Sequence, residues 1–182
     1  MKKQKGEQGY LAYRRKQELI KTLLLFALSF GVFFLGLYST KTTKNLLTIV
    51  AVLGMLPACQ SAVSVILYLR AQGTSEETFQ ALREAVAKQG IPCLYDLYFT
   101  SYEKNYPAAC ALYKNGSLFL LSGEKALSDH VKKYLGAEGL RDITVNVSEN
   151  AEEFSKRISF GSLPEENEKR DKVYALLKAI SL

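Results

Sequence analysis

Few residues of this chain could act as a nucleophile or a general base, and their spacing does not bring them together. His130 is the only histidine, and it ends the run Ser128-Asp129-His130 on a predicted helix. Adjacent helical residues point about 100° apart around the axis, so these three side chains cannot converge on one substrate. Cys93 and Cys110 are possible thiol nucleophiles, but each is interpreted as a small buried hydrophobic residue of a strand. We therefore predict no catalytic residue.

The sequence does not indicate a metal or phosphate site either. No group of His, Cys, Asp or Glu has the spacing of a metal site. Ser122-Gly123-Glu124-Lys125 follows a predicted strand as a phosphate-binding loop would. It lacks the first glycine of such a loop and the Ser or Thr after the lysine. We expect neither a metal nor a cofactor.

Two long apolar segments dominate the first 70 residues. Leu19–Tyr38 and Leu46–Leu69 contain only one charged residue, Lys21. Each segment reaches the roughly 20 residues that cross about 30 Å of hydrocarbon. The polar residues 39–45 between them can only form a turn, and they offer no signal-peptidase cleavage pattern. The sequence predicts a two-span α-helical transmembrane hairpin over residues 19–69.

Basic residues are concentrated around this hairpin. Residues 1–73 carry a net charge of +8, whereas residues 74–182 carry −2. A nucleic-acid-binding surface would lie on the folded domain, where this excess is absent, so we expect no nucleic-acid partner. Six basic residues precede the first span, Lys21 lies in its first turn, and two lie in the loop between the spans. The positive-inside rule predicts that residues 1–18 form a basic cytosolic N-terminus and that both termini are cytoplasmic, in a bacterial plasma membrane.

Small and polar residues recur within the two spans. Small side chains at four-residue spacing let helix backbones approach closely; they are Ala27, Gly31, Gly54, Ala58 and Ala62. Polar side chains on one side of the second span need partners in lipid; they are Gln60, Ser61 and Ser64. We predict packing within the hairpin, with a second copy or a partner's helix as the alternative.

Residues 74–182 have the pattern of a cytosolic α+β domain. Apolar periodicity predicts the order α-β-β-β-α-β-α-α. Asn115-Gly116 is a strong hairpin signal between the second and third strands. Thr74 is the predicted N-cap of the first helix, and Glu77 completes a capping box. This length is sufficient for the domain to bury its own core.

The first six elements of this domain, in the order α-β-β-β-α-β, resemble the core of restriction-endonuclease-like folds. The resemblance implies an Asp before an (Asp/Glu)-x-Lys motif on neighbouring strands, which holds metal ions. The predicted second and third strands, Tyr106–Lys114 and Ser117–Ser122, contain no carboxylate. Glu103-Lys104 and Glu124-Lys125 are adjacent pairs rather than residues two apart. If the fold is of this type, we expect this copy to be inactive.

Tyrosines cluster in the predicted strands. We select Tyr98, Tyr102 and Tyr106 as a candidate partner surface, because tyrosine is favoured at interfaces. Burial in the sheet is the alternative. Cys93 and Cys110 are expected to be free thiols in a reducing cytosol, and the predicted register pairs Cys110 with a residue near Leu97.

Arg14, Arg15 and Lys16 are a candidate lipid-facing basic cluster before the first span. Their role is either to fix orientation during membrane insertion or to dock an acidic partner.

The sequence thus predicts a membrane-anchored, non-catalytic binding or scaffold subunit whose cytosolic domain recruits a protein partner. Membrane lipids and a protein partner or second copy are the expected ligands. The alternative is a membrane-tethered hydrolase or nuclease-fold enzyme with an unrecognised or degenerate site.

Overall fold

The chain divides into two compact units. The computed structural model describes residues 3–71, 73–87, 90–101, 104–159 and 167–182. Residues 1–10 and 73–182 form one unit, called here the α+β unit, and residues 11–72 form the helical unit. In the described part of the chain there are six α-helices and one four-stranded mixed sheet.

The helical unit is built from two long apolar helices, α1 (Tyr10–Thr40) and α2 (Leu46–Arg70). Both are long and apolar enough to cross a membrane. Asn45 organises the turn between them: its side chain accepts a hydrogen bond from the Thr48 N–H at 2.8 Å and donates one to the Thr42 carbonyl at 2.7 Å. It is therefore the N-cap of α2. The first helix begins well before the span predicted from Leu19, so much of the basic N-terminal segment is helical.

The α+β unit contains α3 (Glu76–Ala87), β1 (Leu94–Thr100), β2 (Asn105–Lys114), β3 (Ser117–Leu121), α4 (Leu127–Ala137), β4 (Thr144–Ser148), α5 (Ala151–Ser159) and α6 (Asn167–Ile180). This order agrees with the predicted one. The strands lie in the order β1-β2-β3-β4; the first two pairs are antiparallel and β3–β4 is parallel. Asn115 and Gly116 both have positive φ, 50° and 69°, as the predicted two-residue hairpin turn requires.

Helices cover both faces of the sheet. One core lies between the sheet and α4 and α6, and it includes Leu118, Leu120, Val131 and Leu177. The other lies between the sheet and α3 and α5, and it includes Leu82, Cys110, Leu112 and Phe154. Consecutive strand side chains point to opposite faces, so the unbroken apolar runs of β2 and β3 supply both cores.

The side-chain alternation of β1 and β2 slips by one residue at a single position. Leu94 and Leu97 lie in the same core, as do Ala108 and Ala111, although three residues separate the members of each pair. Regular alternation requires an even separation. The slip is centred on Asp96, whose φ is 51°, and the pairing register is the same on both sides of it. The two strands therefore absorb the distortion together, without an inserted residue.

The start of α3 differs from the prediction by one residue. The Ser75 hydroxyl accepts a hydrogen bond from the Thr78 N–H at 3.3 Å, which makes Ser75 the N-cap in place of Thr74. The backbone of Thr74 is instead held by a strand residue, as described below.

Candidate functional site

A buried carboxylate lies where the chain leaves and re-enters the α+β unit. Asp96 is 4% exposed. Its two oxygens accept hydrogen bonds from the N–H of Gly9 at 2.5 Å and from the N–H of Thr74 at 2.8 Å. Gly9 immediately precedes α1, and Thr74 lies shortly after the end of α2. One carboxylate thus binds the backbone at both points where the chain connects to the helical unit, through charge-assisted hydrogen bonds.

The local backbone adapts to this arrangement. Positive φ is tolerated by Asp better than by most residues, because its short polar side chain can bond to nearby backbone groups. The Thr74 hydroxyl donates to the carbonyl of Ala109, which lies opposite Asp96 in the register, at 3.4 Å. Thr74 therefore binds both strands at the point where their ladder is interrupted.

The N-terminal segment, residues 4–9, lies against the outer edge of β1. The Tyr95 N–H donates to the Gly6 carbonyl at 2.8 Å. A Cβ at Gly6 would lie 2.6 Å from the Leu94 side chain, and the φ of Gly6 is +90°, so glycine is required there. The basic N-terminus is therefore part of the folded unit in this stretch.

The C-terminus covers the other end of the same edge. The Leu182 N–H donates to the Tyr98 carbonyl at 2.9 Å. Lys5 connects the two termini, because its Nζ donates to the carbonyls of Lys178 and Ser181 at 3.0 and 2.8 Å. Both chain ends therefore shield a strand edge that would otherwise be open to pairing with another chain.

One face of the hairpin carries the close helix–helix contacts. The Thr22 and Ser61 hydroxyls are hydrogen-bonded at 2.7 Å. A Cβ at Gly54 would lie 2.9 Å from the Ser29 hydroxyl, and Ala58 is fully buried. These contacts join α1 to α2 through small side chains and one hydrogen bond between them.

The remaining residues of the two predicted patterns lie elsewhere on the helices. Ala62 and Ser64 are partly exposed, and the Ser64 hydroxyl donates to the Gln60 carbonyl within α2. Ala27, Gly31 and Gln60 are exposed, and nothing lies within 4 Å of a Cβ built at Gly31. Gly54, Ala58 and Ser61 therefore lie at the contact between α1 and α2, whereas Ala27 and Gly31 do not.

The three basic residues before the first span differ in their surroundings. Arg14 pairs with Glu18 at 3.4 Å, and Lys21 pairs with the same carboxylate at 3.5 Å. Arg15 and Lys16 are exposed. Within the predicted cluster, Arg15 and Lys16 are therefore the residues that present their charge outward.

Cys93, which immediately precedes β1, and Cys110, in β2, are joined by a disulfide with a Cα–Cα distance of 6.7 Å. The prediction of free thiols is wrong for this structure. Cys110 lies opposite Tyr95, two residues from the predicted partner near Leu97. This register brings Cys110 diagonally across from Cys93, which explains the error.

The predicted tyrosine surface is not exposed. Tyr98 and Tyr106 are only 5% and 8% exposed, and Tyr106 belongs to the core under α4 and α6. Their selection as a partner surface is therefore wrong, because strand tyrosines here fill space next to the sheet. Tyr102 lies outside the described residues.

His130 lies in an aromatic cluster on α4. Its ring centroid is 5.3 Å from that of Tyr106 and 5.1 Å from that of Tyr134. Its Nε2 is buried and has no hydrogen-bond partner within the described ranges. Partial burial, and secondarily the Lys133 charge, lower the pKa of the imidazole below its usual 6.5. Asp129 and Ser128 bond to each other rather than to His130.

A shallow groove of about 360 Å³, called here the α4–α6 groove, lies beside α6 and the residues that follow α4. Its lining combines apolar side chains with one acidic and one basic side chain: Leu140, Leu176, Ala175, Ala179, Glu138 and Lys172. Elsewhere, Glu124 pairs with Lys104 at 2.9 Å, so the carboxylate of the apparent phosphate-loop sequence is engaged in an ion pair. No group of three or more potential metal ligands occurs in the part of the chain that the structure describes.

Asp96 is a buried charged residue that was not among the site residues predicted from the sequence. A single charge within the otherwise apolar and aromatic run CLYDLYFT was the available signal, because a charge is rarely fully buried unless it is bound. No protein-family model, curated protein or solved structure matches the chain.

Proposed function

We propose that this protein is a two-pass subunit of a bacterial plasma membrane whose α+β unit, held at the cytoplasmic face, acts by binding a protein partner rather than by catalysis. The observation that carries the proposal is the Asp96 carboxylate, which fixes both connections to the helical hairpin within the α+β unit. Such a double attachment suits a domain whose role is to be presented at a membrane.

The exposed apolar surface supports membrane insertion. Among the described residues, every large apolar side chain classed as exposed belongs to α1 or α2, with the exception of Tyr134. Leu23, Leu28 and Leu56 are each more than 60% exposed. Contiguous apolar surface of this extent is rarely left in water, and two helices of this length suit a bilayer.

The positions of the termini support a shared side of the membrane. Residues 4–9 contact β1, which favours one side of the bilayer for both the N-terminal segment and the α+β unit. The positive-inside rule then favours the cytoplasm for both, because six basic residues precede the first span, Lys21 lies in its first turn, and only two lie in the loop between the spans. Arg15 and Lys16 are the side chains that would meet anionic headgroups.

The α4–α6 groove is the surface we assign to the partner. An apolar lining that includes one acidic and one basic side chain fits an apolar segment of another protein that carries both a basic and an acidic residue. Ala27 and Gly31 remain candidates for packing against a helix of the partner or of a second copy.

Affinity purification of the full chain from detergent-solubilised membranes tests this function. We expect a protein to copurify in fixed stoichiometry and to be lost from the double variant Ala175→Glu, Ala179→Glu. Both alanines are exposed, so the substitutions should leave the fold intact. Ala81→Glu, at an exposed position of α3 on the other side of the sheet, is the matched control.

Two outcomes would contradict the proposal. The first is equal recovery of the partner with the groove variant and with the control. The second is a chain that purifies without protein but with a bound small molecule, which would favour the enzyme alternative.

A further inference from the structure

We propose that Cys93 and Cys110 form a reversible redox pair, a thiol–disulfide exchange site on the cytoplasmic α+β unit. Cys93 immediately precedes β1 and Cys110 lies in β2, diagonally across the ladder. Their Cα–Cα distance of 6.7 Å is within the range that a disulfide spans without backbone movement.

The surroundings also accommodate the reduced pair. The Cys93 sulfur lies 3.3 Å from the Ala111 carbonyl and 3.5 Å from the Leu94 carbonyl, so a thiol at this position has acceptors in place. Cys110 is fully buried among apolar side chains, an environment that suits a neutral thiol. Both redox states therefore fit the same backbone.

The compartment makes the pair reversible, and at this point the inference rests on the proposed function. In the cytosol, dithiol reductants keep structural cysteines reduced, and the disulfides that do form are mostly transient or redox-sensing. The charge pattern that places the α+β unit in the cytoplasm thus assigns the disulfide to this transient class.

The unequal exposure of the two sulfurs determines which of them a reductant attacks. Cys93 is partly exposed, so a thiolate of a dithiol reductant attacks its sulfur. The Cys110 sulfur leaves with the electron pair of the S–S bond and takes a proton. The second thiolate of the reductant attacks the reductant sulfur of the mixed disulfide, and Cys93 leaves and is protonated. Two electrons and two protons enter the pair, and the reductant becomes a disulfide.

The pair adjoins the contacts that hold the N-terminal segment. Leu94 touches Gly6, and the Tyr95 N–H donates to the Gly6 carbonyl. Oxidation ties the residue before β1 covalently to β2 and so restrains this end of the β1 edge that residues 4–9 cover, whereas reduction releases that restraint.

Acid trapping followed by alkylation with maleimide–polyethylene glycol tests the proposal on the full chain in growing cells. Cys59→Ala removes the third thiol, so two gel shifts report the reduced pair and none reports the disulfide. We expect two shifts in growing cells, their loss after brief treatment with diamide, and their return when diamide is removed. Cys93→Ser should show one shift throughout.

Two results would overturn the proposal and are distinguishable. If both thiols persist under diamide, the pair is not redox-active, but the cytoplasmic placement stands. If the disulfide is present in growing cells and is opened by a membrane-impermeant phosphine, the α+β unit faces outward, and both the redox proposal and the cytoplasmic placement are wrong.

Discussion

Replacing the Asp96 carboxylate should loosen both connections between the α+β unit and the hairpin. Asp96→Asn is the most informative change, because Asn keeps the size of the side chain and tolerates the φ of 51°. It retains one oxygen acceptor and turns the second into an NH₂ donor. The variant therefore keeps the hydrogen bond to either Gly9 or Thr74. At the other N–H it places an NH₂ donor where the acceptor was, so that bond is lost.

The size of the effect follows from these two bonds. Hydrogen bonds to charged groups contribute about 1.5–3 kcal/mol each to stability. Gly9 and Thr74 are only partly buried, so water can reach a released N–H and the lower end of that range applies. We expect Asp96→Asn to lower the free energy of unfolding of the α+β unit by about 2 kcal/mol. Asp96→Ala, which loses both bonds and strains the backbone, should cost about 4 kcal/mol.

Two measurements on the full chain in detergent check this expectation. Urea unfolding followed by tyrosine circular dichroism gives the free energy, and hydrogen exchange reports the Gly9 and Thr74 amides directly. Asp171→Asn, at an exposed position of α6, is the matched control and should stay within about 0.5 kcal/mol of the parent. If Asp96→Asn behaves like this control and neither amide exchanges faster, the carboxylate does not hold the two connections.

Three further predictions concern other groups. Burial raises the pKa of Tyr174 to about 12, so stability should fall as pH rises above 10, where the unfolded tyrosine ionises first; ultraviolet titration and a pH series with Tyr174→Phe test this. Since the pKa of His130 is lowered on folding, its stabilising contribution should be complete above pH 6.5 and decline as the pH falls below it, and His130→Phe should remove that component. NMR titration of this single imidazole should give a pKa below 6.5, and a value at or above it would contradict the assignment. A double-mutant cycle of Thr22→Val and Ser61→Ala should give a coupling of about 0.6 kcal/mol in lipid, and a coupling of zero would refute the interhelical bond.

Local patterns predicted the elements of this fold well. The four-residue spacing of Leu127, Val131 and Leu135 predicts α4, and Asn115-Gly116 predicts the β2–β3 hairpin, because both signals act within a few residues. The order of helices and strands in residues 73–182 follows from such signals.

Contacts between distant parts of the chain could not be predicted in the same way. The contact of Gly6 with Leu94 and the bonds of Asp96 join residues far apart in sequence, and no local pattern encodes them. The register of β1 and β2 depends on where the turn between them falls: Thr100 pairs with Asn105, which puts Cys110 opposite Tyr95 rather than near Leu97, so its proximity to Cys93 was missed. Tyr98 and Tyr106 illustrate that residue type alone does not separate an interface from a core.

The membrane arrangement is tested most directly by labelling single cysteines with a membrane-impermeant maleimide in intact cells. In a background that carries Cys59→Ala, Cys93→Ala and Cys110→Ala, the reporters are Gln4→Cys before α1, Thr43→Cys in the turn and Asp171→Cys in α6, all at exposed positions. We predict that Thr43→Cys is labelled in intact cells and that the other two reporters are labelled only after lysis. Labelling of Gln4→Cys and Asp171→Cys on opposite sides of the membrane, or protection of Thr43→Cys alone, would contradict a two-pass protein with both termini in the cytoplasm.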